Sequence, residues 1–283
     1  MSATLVQSIS VERTYAPEMC PYETVIIDVT HRCNMTCANC YVPNRSVPDL
    51  DARWLSSIFA RLPKGRFVRF VGGEPTLRND LAELIHDARS HGHHPVVLSN
   101  GLRFADRAYV RSLKEAGLQI AYLSFNGGFD DELYWVIDEM RCAEKKRLAF
   151  ENLRAEHLFT SIGMIVVRGV NEHEVKPVLD AVRRSRNVRE FHLRSIGAMG
   201  RYMENPPLTL DELLEVFAGA AGIDPGSISR NERTGSSHDF ALGRQRIQLT
   251  VWPDLGSETR GRLTPEGMIA PFMEHVIANE GGY

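Results

Sequence analysis

Three cysteines, Cys33, Cys37 and Cys40, fall within eight positions in the stretch "HRCNMTCANCY", while the other two, Cys20 and Cys142, lie apart. Thiolates in a Cys-x3-Cys-x2-Cys run select soft metals: zinc, Cu(I) or an iron-sulfur cluster. A cubane of four irons and four sulfides ordinarily takes four thiolates. With three, one iron keeps an open coordination position for a ligand that is not protein, so the missing fourth thiolate marks a potential active site. The alternative is a structural zinc completed as Cys3His by His31 or a distant side chain. Such sites are usually built from two paired knuckles, and Cys20 and Cys142 form no second pair. An odd number of cysteines, three of them closely packed, does not suit a disulfide-stapled secreted domain and points to a reducing compartment.

The elements that must position these thiols follow a repeating pattern. Apolar strand segments "TVIIDVT" (24–30), "FVRFVGG" (67–73), "PVVLSNG" (95–101), "QIAYLSFNG" (119–127), "TSIGMIVVRG" (160–169) and "VREFHLRS" (188–195) alternate with helix-period segments. One of the latter is the long run "DELYWVIDEMRCAEKKRLAFENLRAE". Asp80 reads as a helix start, and Gly92 and Gly117 as helix stops. The order predicts an α/β fold with a parallel sheet and helices outside, as a full or partial barrel or an opened doubly wound sheet. Polar residues gather at the carboxyl end of every strand: the cysteines, Gly72 to Pro75, Ser99 to Gly101, Ser124 to Gly127, Arg168 to Asn171, and His192 to Ser195. Ligands of parallel sheets bind at that rim. After residue 221 the alternation stops. Residues 222–283 are richer in Gly, Pro, Ser and Thr, with one strand-like run, "RIQLTVW", and read as an extension closing the open side of a barrel.

The cysteine loop after a first strand, followed by "GGEP" at residues 72–75, resembles the radical S-adenosylmethionine (SAM) enzymes over roughly residues 22–200. The resemblance implies a partial (β/α)6 TIM-like barrel over 22–204, preceded by an extension at 1–21 and followed by another at 205–283. It implies that Cys33, Cys37 and Cys40 hold one 4Fe-4S cluster whose open iron chelates SAM. Reduction by an external donor such as flavodoxin or ferredoxin would then release methionine and a 5′-deoxyadenosyl radical, which abstracts hydrogen from substrate. Gly72, Gly73, Glu74 and Pro75 would border the methionyl amino group, the glycines letting backbone approach closely. Ser99, Asn100, Ser124 and Asn126 would meet the ribose and carboxylate of SAM. Arg168 and Asn171, at the fifth-strand exit, would border the adenine. The rim segments are also natural turns, and Asn171 a natural helix cap.

The chain departs from the family pattern in places. Asn39 stands where many members have an aromatic, with Tyr41 following, and "SFNG" replaces "SLDG" without the arginine that pairs with the SAM carboxylate. No cysteine follows Cys142, so no auxiliary cluster is expected, and no winged-helix peptide-binding module is expected before residue 22. Both favour a small-molecule substrate. On the sixth strand, alternation puts Glu190, His192 and Arg194 on one face, pointing into the barrel, with His192 and Arg194 placed to grip an anionic substrate or SAM. Asp28 and Tyr122 share comparable faces. Cys142, the free thiol nearest the rim in sequence, is a candidate hydrogen-atom donor, or simply a small buried hydrophobe within a long helix.

Net charge is −3 with arginines dispersed, which indicates no nucleic-acid tract. No window approaches the roughly 20 apolar residues of a membrane helix, and the chain reads as cytoplasmic. Three readings follow. One is a SAM-cleaving radical oxidoreductase or lyase acting on a small molecule in a biosynthetic pathway. Another is a radical peptide modifier, such as an epimerase, working with a separate recognition protein. The third is a zinc-stabilised nucleotide-binding barrel.

Overall fold

The computed structural model describes residues 14–38, 40, 42, 44–195, 206–228, 232–234, 237–251 and 259–272. The chain runs β1 (Thr24–Thr30), α1 (Ala52–Arg61), β2 (Phe67–Gly72), α2 (Leu81–Ser90), β3 (His94–Ser99), α3 (Arg107–Glu115), β4 (Ile120–Ser124), α4 (Asp131–Asp138), α5 (Ala143–Ala155), β5 (Phe159–Val166), α6 (Val175–Arg184) and β6 (Val188–Ser195). It continues with α7 (Leu210–Ala221), β7 (Glu232–Thr234), β8 (Ser237–Leu242), β9 (Gln245–Val251), β10 (Arg260–Leu263) and β11 (Ile269–Pro271). The first six strands pair in parallel and in sequence order, as the strand-helix pattern predicts.

Alternation along the strands makes the two faces of the sheet different. One face is fully buried and apolar: Val25, Ile27, Val68, Phe70, Val97, Leu123, Ile162, Met164, Phe191 and Leu193 pack with Leu55, Phe59, Leu84, Val110, Leu153 and Val178 of the helices. Each such side chain contributes about 1.5–3 kcal/mol by leaving water. The opposite face carries Asp28, Arg69, Tyr122, His192 and Arg194, all retaining some accessible surface. Helix starts are fixed by carboxylates: Asp51 accepts from Trp54 N at 2.9 Å, Asp106 from Ala108 N at 2.9 Å and Asp130 from Glu132 N at 2.7 Å. Asp80 begins α2 differently, since its carboxylate pairs with Arg78 at 2.6 Å and caps no backbone N–H.

Two expectations are corrected. The segment 131–156 is two helices, not one. Glu139 adopts a left-handed conformation (φ 53°) that ends α4, and α5 restarts where Ala143 N donates to Asp131 Oδ1 at 2.7 Å. Cys142 therefore lies at a break between helices. Among the described residues, the region after residue 221 holds five short strands where one run was expected, and it flanks both margins of the sheet. β9 lies parallel to β6 and carries β8 and β7, while β10 lies parallel to β1 and carries β11. Among the described residues no helix is long and apolar enough to cross a membrane.

Candidate active site

The loop after β1 holds the three thiols and is closed at its base. Thr30 Oγ1 donates to Asp49 at 2.6 Å, Arg32 pairs with the same carboxylate, and Leu50 N returns to Val29 O at 3.2 Å. Arg78, almost fully buried, donates from one nitrogen to the carbonyls of Val29 and Leu50, both at 2.8 Å. Inside the loop, Cys40 N donates to Cys37 O at 3.1 Å. Arg45 donates to the Met35 carbonyl and approaches Cys40 Sγ at 3.5 Å. Met35, Tyr134, Cys142 and Ala143 form a buried cluster against which Cys33 and Cys37 pack. Asn39 and Tyr41 lie outside the described residues.

Cys33, Cys37 and Cys40 are half-buried and none is in a disulfide. Burial pushes the Cys33 and Cys37 thiols up, and Asp138 adds to the effect at Cys37. A metal must therefore displace their protons, as thiolate sites do. Three reduced thiols on one loop, under partial apolar cover and beside a guanidinium, supply the donor types of an iron-sulfur cluster, while among the described residues no three such side chains are gathered closely enough to hold a metal ion. The imidazole of His31 is buried and stands 3.0 Å from the Asn44 carbonyl. Cys142 is buried beside Met35 and Tyr134, with its thiol pushed up to about 11 by burial. It belongs to the packing around the cysteine loop and not to the row of side chains on the sheet's polar face.

The glycine pair after β2 has a specific steric reason. A Cβ on Gly72 (φ 120°) would overlap the Thr30 carbonyl, and one on Gly73 would overlap those of Arg32 and His31. The close approach is thus to the cysteine loop itself, and Gly73 N and Glu74 N donate to Thr30 O and Arg32 O, both at 2.8 Å. Glu74 is buried and its carboxylate is filled by protein donors. Thr76 N (3.0 Å), Thr76 Oγ1 (2.6 Å) and Ser99 Oγ (2.8 Å) reach one oxygen, and Asn100 N (2.7 Å) reaches the other. Burial raises its carboxyl against those bonds. Ser99 also accepts from Gly101 N at 2.9 Å, while Asn100 Nδ2 donates to Asn34 Oδ1 at 2.8 Å in the cysteine loop. Glu74 and Ser99 therefore tie rim segments together.

At the next two strand exits the expected ligand residues form a bracket. Asn171 Nδ2 donates to Asn126 O and Ile165 O, and its Oδ1 accepts from Val167 N at 2.8 Å. Asn126 Oδ1 accepts from Ile165 N at 3.1 Å and its Nδ2 donates to Asp138 at 3.0 Å. Burial raises the Asp138 carboxyl against the pull of Lys146, Asn126 and the Cys37 thiol. Lys146, wholly buried, donates to the Ser124 carbonyl at 2.9 Å. The Ser124 side chain remains half-buried at the rim. Arg168 faces the other way, pairing with Glu212 at 2.6 Å and bonding the carbonyls of Pro206 and Pro207. Sequence reasoning missed Asp138 and Lys146, since helix-period charges ordinarily read as a solvated face.

The polar face below the rim gathers the remaining candidates. Tyr122 crosses Gly163, where a Cβ would overlap its phenol, and meets His192 edge-on at 6.5 Å between ring centroids. His192 Nε2 lies 2.9 Å from Thr250 Oγ1. Burial first, then the guanidinium groups of Arg194, Arg260, Arg69 and Arg246, holds the His192 imidazole neutral. Glu190 accepts from Ser161 Oγ at 2.9 Å, and Asp28 pairs with Arg262 at 2.8 Å, the latter two side chains each about one-tenth exposed. Arg69, Arg246 and Arg260 were not among the sequence candidates. The available signal for Arg69 was a lone cation at an alternating position in the otherwise apolar run "FVRFVGG".

The Radical SAM superfamily model matches residues 27–182, more than half of the chain. The chain is 31% identical over 223 residues to 7,8-dihydro-6-hydroxymethylpterin dimethyltransferase of Methanocaldococcus jannaschii, a match covering 70% of this chain and 44% of that protein. It is 25% identical over 268 residues to GTP 3′,8-cyclase of Listeria welshimeri, covering 88% of this chain and 78% of the relative. The crystal structure of Streptococcus suis SuiB bound to S-adenosylmethionine superposes with a TM-score of 0.63 at 14% identity, over 89% of this chain and 60% of SuiB, which is a likeness of fold. The chain thus spans less than half the length of the methanogen relative. With its thiol loop, its rim segments and its parallel sheet, this chain belongs to the Radical SAM superfamily.

Proposed function

We propose that this chain is a radical enzyme that takes a hydrogen atom from a small molecule held on the polar face of its sheet, an oxidoreductase or lyase of a biosynthetic pathway. The observation that carries this reading is the position of the three-thiol loop at the carboxyl-terminal rim, at the end of a sheet whose inner face carries Asp28, Arg69, Tyr122, His192 and Arg194 while its outer face is largely apolar. The family uses a 4Fe-4S cluster with SAM, which together supply a one-electron cleavage of SAM to methionine and a 5′-deoxyadenosyl radical.

The chain's own residues have distinct tasks in this reading. Cys33, Cys37 and Cys40 hold the cluster, with Arg45 fixing the loop around them. The main chain of Gly72–Pro75, the Asn100 region and the Ser124 side chain border SAM, positioned by Glu74, Asn126 and Asn171 behind them. Tyr122 and neutral His192 face the substrate. The names of two relatives carry a pterin and GTP, both small molecules, which supports such a substrate over a peptide. The electron donor is a flavodoxin or ferredoxin of the cytoplasm.

The test is anaerobic reconstitution with iron and sulfide, followed by dithionite and SAM. Methionine and 5′-deoxyadenosine should appear with wild-type protein and not with a variant carrying Cys33→Ala, Cys37→Ala and Cys40→Ala. Absence of both products from iron-replete wild-type protein overturns the reading.

A further inference from the structure

Four guanidinium groups converge on the polar face, and the proposed hydrogen transfer does not by itself require them. Arg69 on β2, Arg194 on β6, Arg246 on β9 and Arg260 on β10 all act on His192. In the sheet order β10 and β6 are six strands apart, about 29 Å in a flat sheet at about 4.8 Å per strand. Their shared influence on one imidazole therefore requires a sheet curled until these strands face each other. Arg69 and His192 lie deep in the molecule yet keep accessible surface, as side chains lining an interior space do.

The carboxylates nearby are already engaged. Asp28 is paired with Arg262, Asp239 with Arg246, and Glu190 accepts from Ser161 while standing 3.9 Å from Arg246. Arg69 differs from its neighbours, because its Nε is buried with no hydrogen-bond partner. Burial first, then the nearby Arg260 guanidinium, disfavours its charge, and Glu190, already bonded to Ser161, offsets this only in part. A buried, unpaired guanidinium among like charges is costly unless an anion compensates it.

We infer that Arg69, with Arg194, Arg246 and Arg260, receives an oxyanion group of the substrate, a phosphoryl or carboxylate group on a small molecule. The inference rests on the reading of this face as the substrate site and names the substrate's class. Arg69 lies three residues before Gly72, and His192 three before Ser195, so the group would bind about 10 Å below the rim at about 3.3 Å per residue. That depth separates it from the rim segments that border SAM, and leaves the other end of the molecule at the level of the cysteine loop. Guanidinium forks grip such groups bidentately, and a neutral His192 adds a hydrogen-bonding nitrogen without repelling them.

The test is calorimetric titration of the reconstituted holoenzyme with inorganic pyrophosphate and, separately, with citrate. At least one should bind at 1:1 stoichiometry, more weakly as KCl rises, and Arg69→Met should weaken it about tenfold or more. Arg69→Lys, which keeps the charge, should lose less. Preference for pyrophosphate assigns a phosphoryl group, and preference for citrate a carboxylate. Arg194→Met, on a separate strand, repeats the test should Arg69→Met fail to fold. Failure of both anions to bind at millimolar concentration, or binding that neither methionine variant weakens, overturns the inference. SAM cleavage measured on the same samples separates the two readings. Cleavage without anion binding removes this inference and leaves the proposed reaction standing; anion binding without cleavage does the reverse.

Discussion

Asn171 donates to the Asn126 carbonyl oxygen at 2.8 Å across 45 residues of sequence, and this bond locks the exit of β5 to the exit of β4. Asn171 is fully buried, and its second donor hydrogen and its oxygen are also used, by Ile165 O and Val167 N. Replacing it leaves main-chain groups buried without partners, at about 1–3 kcal/mol each. Asn171→Ala should lower unfolding free energy by about 2–4 kcal/mol, read as a fall in urea midpoint at unchanged m-value. Asn171→Asp should be worse, since it turns the donor that faces two carbonyls into a third acceptor.

The two rim loops should also respond to a single methyl group. Gly73→Ala places a Cβ onto the Arg32 and His31 carbonyls, so the cysteine loop must shift while the strands remain. Iron and sulfide bound after reconstitution should fall below half of wild type, with far-UV circular dichroism unchanged. Gly219→Ala is the control. It lies in α7 with open space around it, and should gain about 0.5–1 kcal/mol with full iron binding.

Lys146 is a buried cation bonded to the Ser124 carbonyl and acting on Asp138. Lys146→Met keeps its volume and removes its charge. Losing that charge and the bond to the Ser124 carbonyl, while Asp138 keeps its bond from Asn126, should cost about 1–3 kcal/mol. The double variant Lys146→Met with Asp138→Asn should recover part of that loss, and a double-mutant cycle on denaturation midpoints measures the coupling. Equal losses in the single and double variants would show that the two side chains do not cooperate.

Acid stability should depend on Glu156. Arg111 and Arg107 hold its carboxyl down at about 2, below the usual value of about 4.3. A depressed carboxylate stabilises the fold above its unfolded pKa, and that contribution disappears as pH falls from about 4.5 through about 2. Glu156→Gln should lower Tm at pH 6 and show a shallower loss of Tm than wild type between pH 5 and pH 2.

Local features of this chain were legible in its sequence, and converging ones were not. The cysteine spacing, "GGEP" and the six strand exits are each written in a few adjacent residues, and the strand-helix period carried the parallel sheet. The break between α4 and α5 left no mark, because the residue that makes it, Glu139, is not one whose type favours a left-handed turn. β7, β10 and β11 are too short for a period to register. Arg69 and Arg260 meet His192 only because the sheet curls, a property of no single segment. The roles of Glu74, Asn126 and Asn171 as brackets for neighbouring loops likewise depend on partners tens of residues away.

The register of β10 against β1 bears on how the chain acquires its shape. Asp28 and Arg262 are 234 residues apart, yet they join adjacent strands. During synthesis β1 leaves the ribosome early and keeps a bare hydrogen-bonding margin until the polypeptide has grown past Leu263. Pairings of such high contact order form slowly, and a waiting strand edge is an invitation to aggregate. Recombinant yield should therefore respond more to slow, cool expression and chaperone supply than to iron supply.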